Sequence, residues 1–100
     1  MTKMSVGVCL LTLRLPGNDS LKGKRQVVKS LTTRLRNKFN VSVAEVADND
    51  LWQMATIGIT CVSNDAGHAR KMLDSAVQFV ERSRPDTELL DSEIDVSPAF

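Results

Sequence analysis

NVSVAEVADNDLWQMATIGITCVS, residues 40–63, is the stretch on which the fold turns. Residues 40–47 are short and β-branched, with Val41, Val43 and Val46 marking a strand. Asp48-Asn49-Asp50 is turn chemistry. From Trp52 to Ser63 the residues alternate. Ala55, Ile57, Ile59 and Cys61 take one side, and Met54, Thr56, Gly58, Thr60 and Val62 the other. A period of two marks a strand with one face on a core. Two such strands across a short polar turn make a β-hairpin.

Each end of the hairpin meets a helix and then a further strand. Upstream, Ser20 is an N-cap for a helix running to about Lys38. A wheel at 100° per residue gathers Leu21, Val28, Leu31 and Leu35, with Val27 at the margin, as the core stripe. Gly23 stands where a capping-box Glu would reach back, so the cap is half built. Before it come the turn Pro16-Gly17-Asn18-Asp19 and a Val- and Leu-rich strand over residues 4–15. Downstream, Ser63 or Asn64 caps a second helix with Asp65 in its first turn. Its apolar face is Ala66, Ala69, Leu73, Ala76, Val77 and Val80, and Arg84-Pro85-Asp86 ends it. Residues 87–96 form the last strand, with Leu90, Ile94 and Val96 on one face and Asp91, Glu93 and Asp95 on the other. The tail, residues 97–100, is expected to fray.

The order βαββαβ is that of the ferredoxin-like α+β fold. It predicts one four-stranded antiparallel sheet of order 4-1-3-2 with two helices on one face. One hundred residues make a single domain, 1–100. The first and third strands are central, and the charges of the fourth guard an edge against association.

Composition excludes several classes. The hydrophobic fraction is 42% and the charged fraction 25%, as in ordinary globular domains. No run reaches the ~18 apolar residues of a membrane span, and no signal-peptide layout opens the chain. A cytoplasmic protein with no membrane role is expected. Cys9 and Cys61 sit in apolar runs without a CxxC neighbour and read as buried free thiols. The net charge of +1 hides a segregation. Residues 1–38 hold nine Lys/Arg and one acid, hence +8; residues 39–100 hold four and eleven, hence −7. Such asymmetry points to a polyanion partner or a polarised surface.

Catalytic chemistry finds no footing. His68, the only histidine, falls on the polar side of the second helix. Glu45, Asp48 and Asp50 lack the spacing of a calcium loop and read as a solvated hairpin tip. There is no nucleophile elbow, P-loop or metal-ligand spacing. The expectation is a protein that is not an enzyme, with no metal and no cofactor.

The surfaces are more informative. Lys22, Arg25, Lys29 and Arg36 fall in one narrow arc of the first helix, expected opposite Leu31 and Leu35, with no acid among them. Lys24 and Arg14 join them as candidate phosphate contacts near a helix N-terminus. Lys24 lies on the apolar side of the wheel, where snorkelling or a carboxylate partner such as Glu45 would accommodate it. The sheet face away from the helices would carry Val6, Val8 and Leu10 from the first strand and Trp52 and Met54 from the third. An open apolar face suggests a covering partner, most economically a second copy in a homodimer. Two functions follow. One is an RNA- or ribosome-associated protein using the basic helix face. The other is a homodimeric protein-interaction module with no nucleic-acid role.

Four motifs carry a family resemblance: Ser20-Leu21-Lys22-x-Lys24-Arg25, Phe39-Asn40-Val41-Ser42-Val43-Ala44-Glu45-Val46, Asp50-Leu51-Trp52-Gln53 and Val62-Ser63-Asn64-Asp65. Over roughly residues 4–95 the chain resembles the YlxP-like family of small bacterial proteins, the domain of unknown function 503. The resemblance implies a ferredoxin-like fold and no established activity. It also implies, by gene neighbourhood with transcription and translation factors, a connection to RNA or the ribosome. Gly23 stands where relatives usually carry Glu, which makes the helix start more basic.

Overall fold

Along the first strand Cys9, Leu11 and Leu13 alternate with Val8, Leu10 and Thr12, and only the former set is fully buried. That alternation, repeated on the third strand, makes one side of the sheet a core wall. The structure is a computed structural model describing residues 2–100. Its elements are β1 (Ser5–Arg14), α1 (Leu21–Lys38), β2 (Ser42–Ala47), β3 (Met54–Ser63), α2 (Ala66–Ser83) and β4 (Glu88–Pro98). The sheet is antiparallel throughout, in the order β2-β3-β1-β4. This is the expected order read from the other edge, and the fold is ferredoxin-like α+β.

The core lies between sheet and helices. Leu31 and Leu35 come from α1, and Ala69, Leu73, Ala76, Val77 and Val80 from α2. Each large aliphatic contributes about 1.5–3 kcal/mol on burial. Gly7 marks the tightest approach. A Cβ there would lie 2.8 Å from Leu73 Cδ1 and 3.1 Å from Cys61 Sγ. Leu73 is fully buried and has nowhere to retreat. Gly7→Ala is therefore expected to lower stability by about 1–3 kcal/mol, read from urea unfolding.

Four details differ from the sequence reading. On β4, Leu89 rather than Leu90 joins Ile94 and Val96 against the core. The cause is a bulge: Thr12 pairs with Asp91 but Leu13 with Leu89, which leaves Leu90 extra and exposed. One inserted residue inverts the facing of those beyond it. The tail does not fray. Ser97 and Pro98 stay in β4 opposite Val6 and Ser5, and the amides of Ala99 and Phe100 donate to Met4 O. The cap of α2 is Asp65 itself, whose carboxylate accepts from Gly67 N at 2.9 Å. Finally, β3 starts at Met54, so Trp52 belongs to the preceding loop and not to the sheet.

Candidate nucleic-acid interface

The first turn of α1 is fixed from both sides. Ser20 Oγ accepts from Gly23 N at 2.9 Å, the expected half of a capping box. A Cβ at Gly23 would collide with the Asn18 side chain. Without it, Asn18 Nδ2 donates to Ser20 O at 2.8 Å and to Trp52 O at 2.6 Å. Gln53 Nε2 returns a bond to Asn18 O at 3.2 Å. The loop of residues 48–53 is thus fastened to the start of α1, and it holds Leu51 and Trp52 exposed.

Lys24 completes this junction from inside. It is fully buried, with Nζ 2.9 Å from Glu45 Oε2. Nζ also donates to Met54 O at 3.0 Å and to Asp48 O. The Glu45 oxygen meets the ammonium by charge, without an aligned hydrogen bond. Asp48 adopts φ 61°, a left-handed turn that aspartate tolerates, and its carboxylate accepts from Thr56 Oγ1 at 2.6 Å. The pairing with Glu45 is the one the wheel suggested. Lys24 is therefore removed from the phosphate-contact set: an ammonium enclosed by three protein oxygens cannot reach a ligand. Glu45 and Asp48 are likewise engaged with protein partners and are not a simple solvated tip.

The other cations remain outside. Lys22, Arg25, Lys29 and Arg36 are exposed, and among the described residues none forms an ion pair. Arg36 Nη2 donates to Val43 O at 2.7 Å on β2. Thr32, on the same side of the helix, is buried. The stripe therefore runs along the β2 flank of α1 and not opposite the core. Arg14 lies elsewhere. It follows Val8, Leu10 and Thr12 in the outward register of β1, and its Nε is 3.7 Å from Glu88 Oε2. Both side chains are about half exposed, so the pair contributes little.

Of the proposed interface residues, Val8 and Leu10 are exposed on the outer sheet face and Val6 is half-buried there. Met54, half-buried, pairs with Arg14 at the strand end. Trp52 is separated from these four by its place in the loop.

A second cationic feature escaped the sequence. Arg34 Nη1 donates to Ser83 O at 3.3 Å, and Phe39 meets Phe79 edge-on with centroids 5.9 Å apart. The two helices thus touch through their C-terminal halves, around a cleft of about 570 Å³ lined also by Lys38 and Arg82. Arg34 and Lys38 lie 5.6 and 4.9 Å from the Phe79 centroid. Only the pairing of the helices brings these residues together, so no local pattern announces them.

Cys9 and Cys61 are buried free thiols. Burial, aided by the charge of Asp74, pushes Cys9 up to about 11, and burial also raises Cys61. A thiol raised in the folded state supports stability below its unfolded value and loses that support as pH rises. Stability is expected to decline from pH 9.0 toward about 11, less steeply in Cys9→Ala. Denaturant titrations across that window check it. A profile equally steep in both proteins counts against it. His68 is exposed near the start of α2. No group of three or more potential metal ligands occurs among the described residues, and no described helix is long and apolar enough to cross a membrane.

Residues 6–94 match the family described as "Protein of unknown function (DUF503)". This chain belongs to that family. It is 42% identical over 69 residues to the "Uncharacterized protein YlxP" of Bacillus subtilis (strain 168), covering 69% of this chain and 74% of that protein. The DUF503 match takes in α1, the hairpin and α2 entire, so the stripe and the Lys24 junction lie within the family region. Among solved structures the chain is similar to "De novo designed protein Foldit4", with a TM-score of 0.53. That likeness covers 93% of this chain and 96% of the other at 11% identity, and it concerns the fold alone.

Proposed function

We propose that this DUF503 protein binds single-stranded RNA, free or displayed on a ribosome, through the β2 flank of α1. The observation that carries the reading is the set of exposed cations Lys22, Arg25, Lys29 and Arg36, which have no carboxylate partner among the described residues. From Lys22 to Arg36 the stripe extends about 21 Å, enough to follow several phosphates of one strand. Phosphate contacts position the RNA without reading its sequence. Trp52, exposed on the loop fastened to the first turn of the same helix, offers a stacking surface for a base. Because it is the only tryptophan, its fluorescence reports on that contact. Titration with oligouridine tests the proposal: salt-sensitive quenching is expected, and its absence overturns the reading. A second reading, a protein-interaction module without a nucleic-acid role, is favoured by the exposed aliphatics of the outer sheet face, Val8, Leu10, Val46 and Val62. The homodimer expected from the sequence is one form of it, and a different protein covering the same face is the other.

A further inference from the structure

The outer sheet face is a shaped trough. It has a volume of about 730 Å³ and is lined mainly by apolar atoms of β1, β2 and β3. Val8 and Leu10 stand on one side and Val46 on the other. Gly58 lies between them, opposite Leu10 on β1 and Ala44 on β2. Its missing side chain opens the floor, since a Cβ there would come within 3.1 Å of Val46 Cγ1. Beyond Leu10, β4 presents Asp91, Glu93 and Asp95 as an exposed acidic rim. Among the described residues no cation pairs with any of the three.

We infer that this trough receives an amphipathic helix from a protein partner, with an apolar ridge and lysines or arginines along one border. The ridge fits a floor cleared at Gly58, in the manner of a helix in a groove. The basic border meets Glu93 and Asp95, and charge complementarity sets orientation more than affinity. Nucleic acid is excluded here because the rim would repel its phosphates. A second copy is a poor occupant. Its helices already commit their apolar faces to their own core, and its own sheet face carries the same carboxylates. The inference does not rest on the RNA reading, because the trough and α1 lie on opposite faces of the sheet.

The test is calorimetric titration of the full chain with two designed helical peptides of about 18 residues, or five turns. Both carry the same leucine ridge; one has lysine and the other glutamate along its border. The lysine peptide is expected to bind at about 10–100 µM and the glutamate peptide at least about tenfold more weakly. Leu10→Asp should weaken the lysine peptide by about tenfold or more. Leu10 is already 41% exposed, so an unchanged circular dichroism spectrum and urea midpoint confirm that the fold is intact. Glu93→Lys with Asp95→Lys should reverse the preference between peptides, which a generally sticky surface would not do. Equal affinity for both peptides, indifference to Leu10→Asp, or a wild-type dimer that Val8→Asp dissociates would overturn the inference.

Discussion

Lys24→Ala is expected to lower the stability of the domain by about 3 kcal/mol, the lower end for breaking a buried ion pair. The lower end applies because the Glu45 side chain keeps 16% of its exposure, while Lys24 keeps none. Removing the ammonium strands the Glu45 carboxylate and leaves the Asp48 and Met54 carbonyls without this donor. For a domain of this size the melting temperature should fall by about 15 °C. Lys24→Met with Glu45→Met removes both charges and should recover much of the loss, since apolar replacement of a buried pair is often neutral. Recovery should stop short by about 1 kcal/mol for the Met54 carbonyl, since Asp48 O still accepts from Leu51 N. Urea unfolding of the two variants measures both numbers. A loss below about 1 kcal/mol for Lys24→Ala would mean that the junction does not depend on its ammonium.

Reversing the stripe should have the largest effect on binding. With Lys22, Arg25, Lys29 and Arg36 all changed to Glu, affinity for oligouridine is expected to fall by more than about a hundredfold, as eight units of charge are moved toward repulsion. Wild-type affinity should decline with salt at a slope of log K against log salt near −3 if all four residues meet phosphates. The slope should be nearer −2 if Arg36 stays on the Val43 carbonyl, where the structure places it. Trp52→Ala should weaken binding by about 1–3 kcal/mol without altering the slope, because stacking releases no counterions. The four side chains are exposed and lie outside the core, so circular dichroism should remain that of the wild type. Affinity indifferent to salt, or unaltered in the reversed variant, would remove the RNA reading.

The elements and their order follow from local pattern. The period of two on β3, the Val- and Leu-rich run of β1 and the helical stripe of Leu31 and Leu35 depend only on which residues must leave water. The βαββαβ order then admits few sheets, and the observed one is among them. The four-residue basic arc was legible for the same reason: spacing on one helix is local. Even the Lys24–Glu45 contact could be foreseen, because a lysine on an apolar face needs a carboxylate or an exit to water. Tertiary structure alone decided the rest. The bulge that substitutes Leu89 for Leu90 arises from pairing with β1, and the tail is held by Met4 at the opposite end of the chain. The flank that the stripe faces, the position of Trp52 beside α1, the cleft of Arg34, Lys38 and Arg82, and the trough over Gly58 all require residues far apart in sequence. Periodicity fixes which side of an element is buried, whereas only packing fixes what stands next to the side that is not.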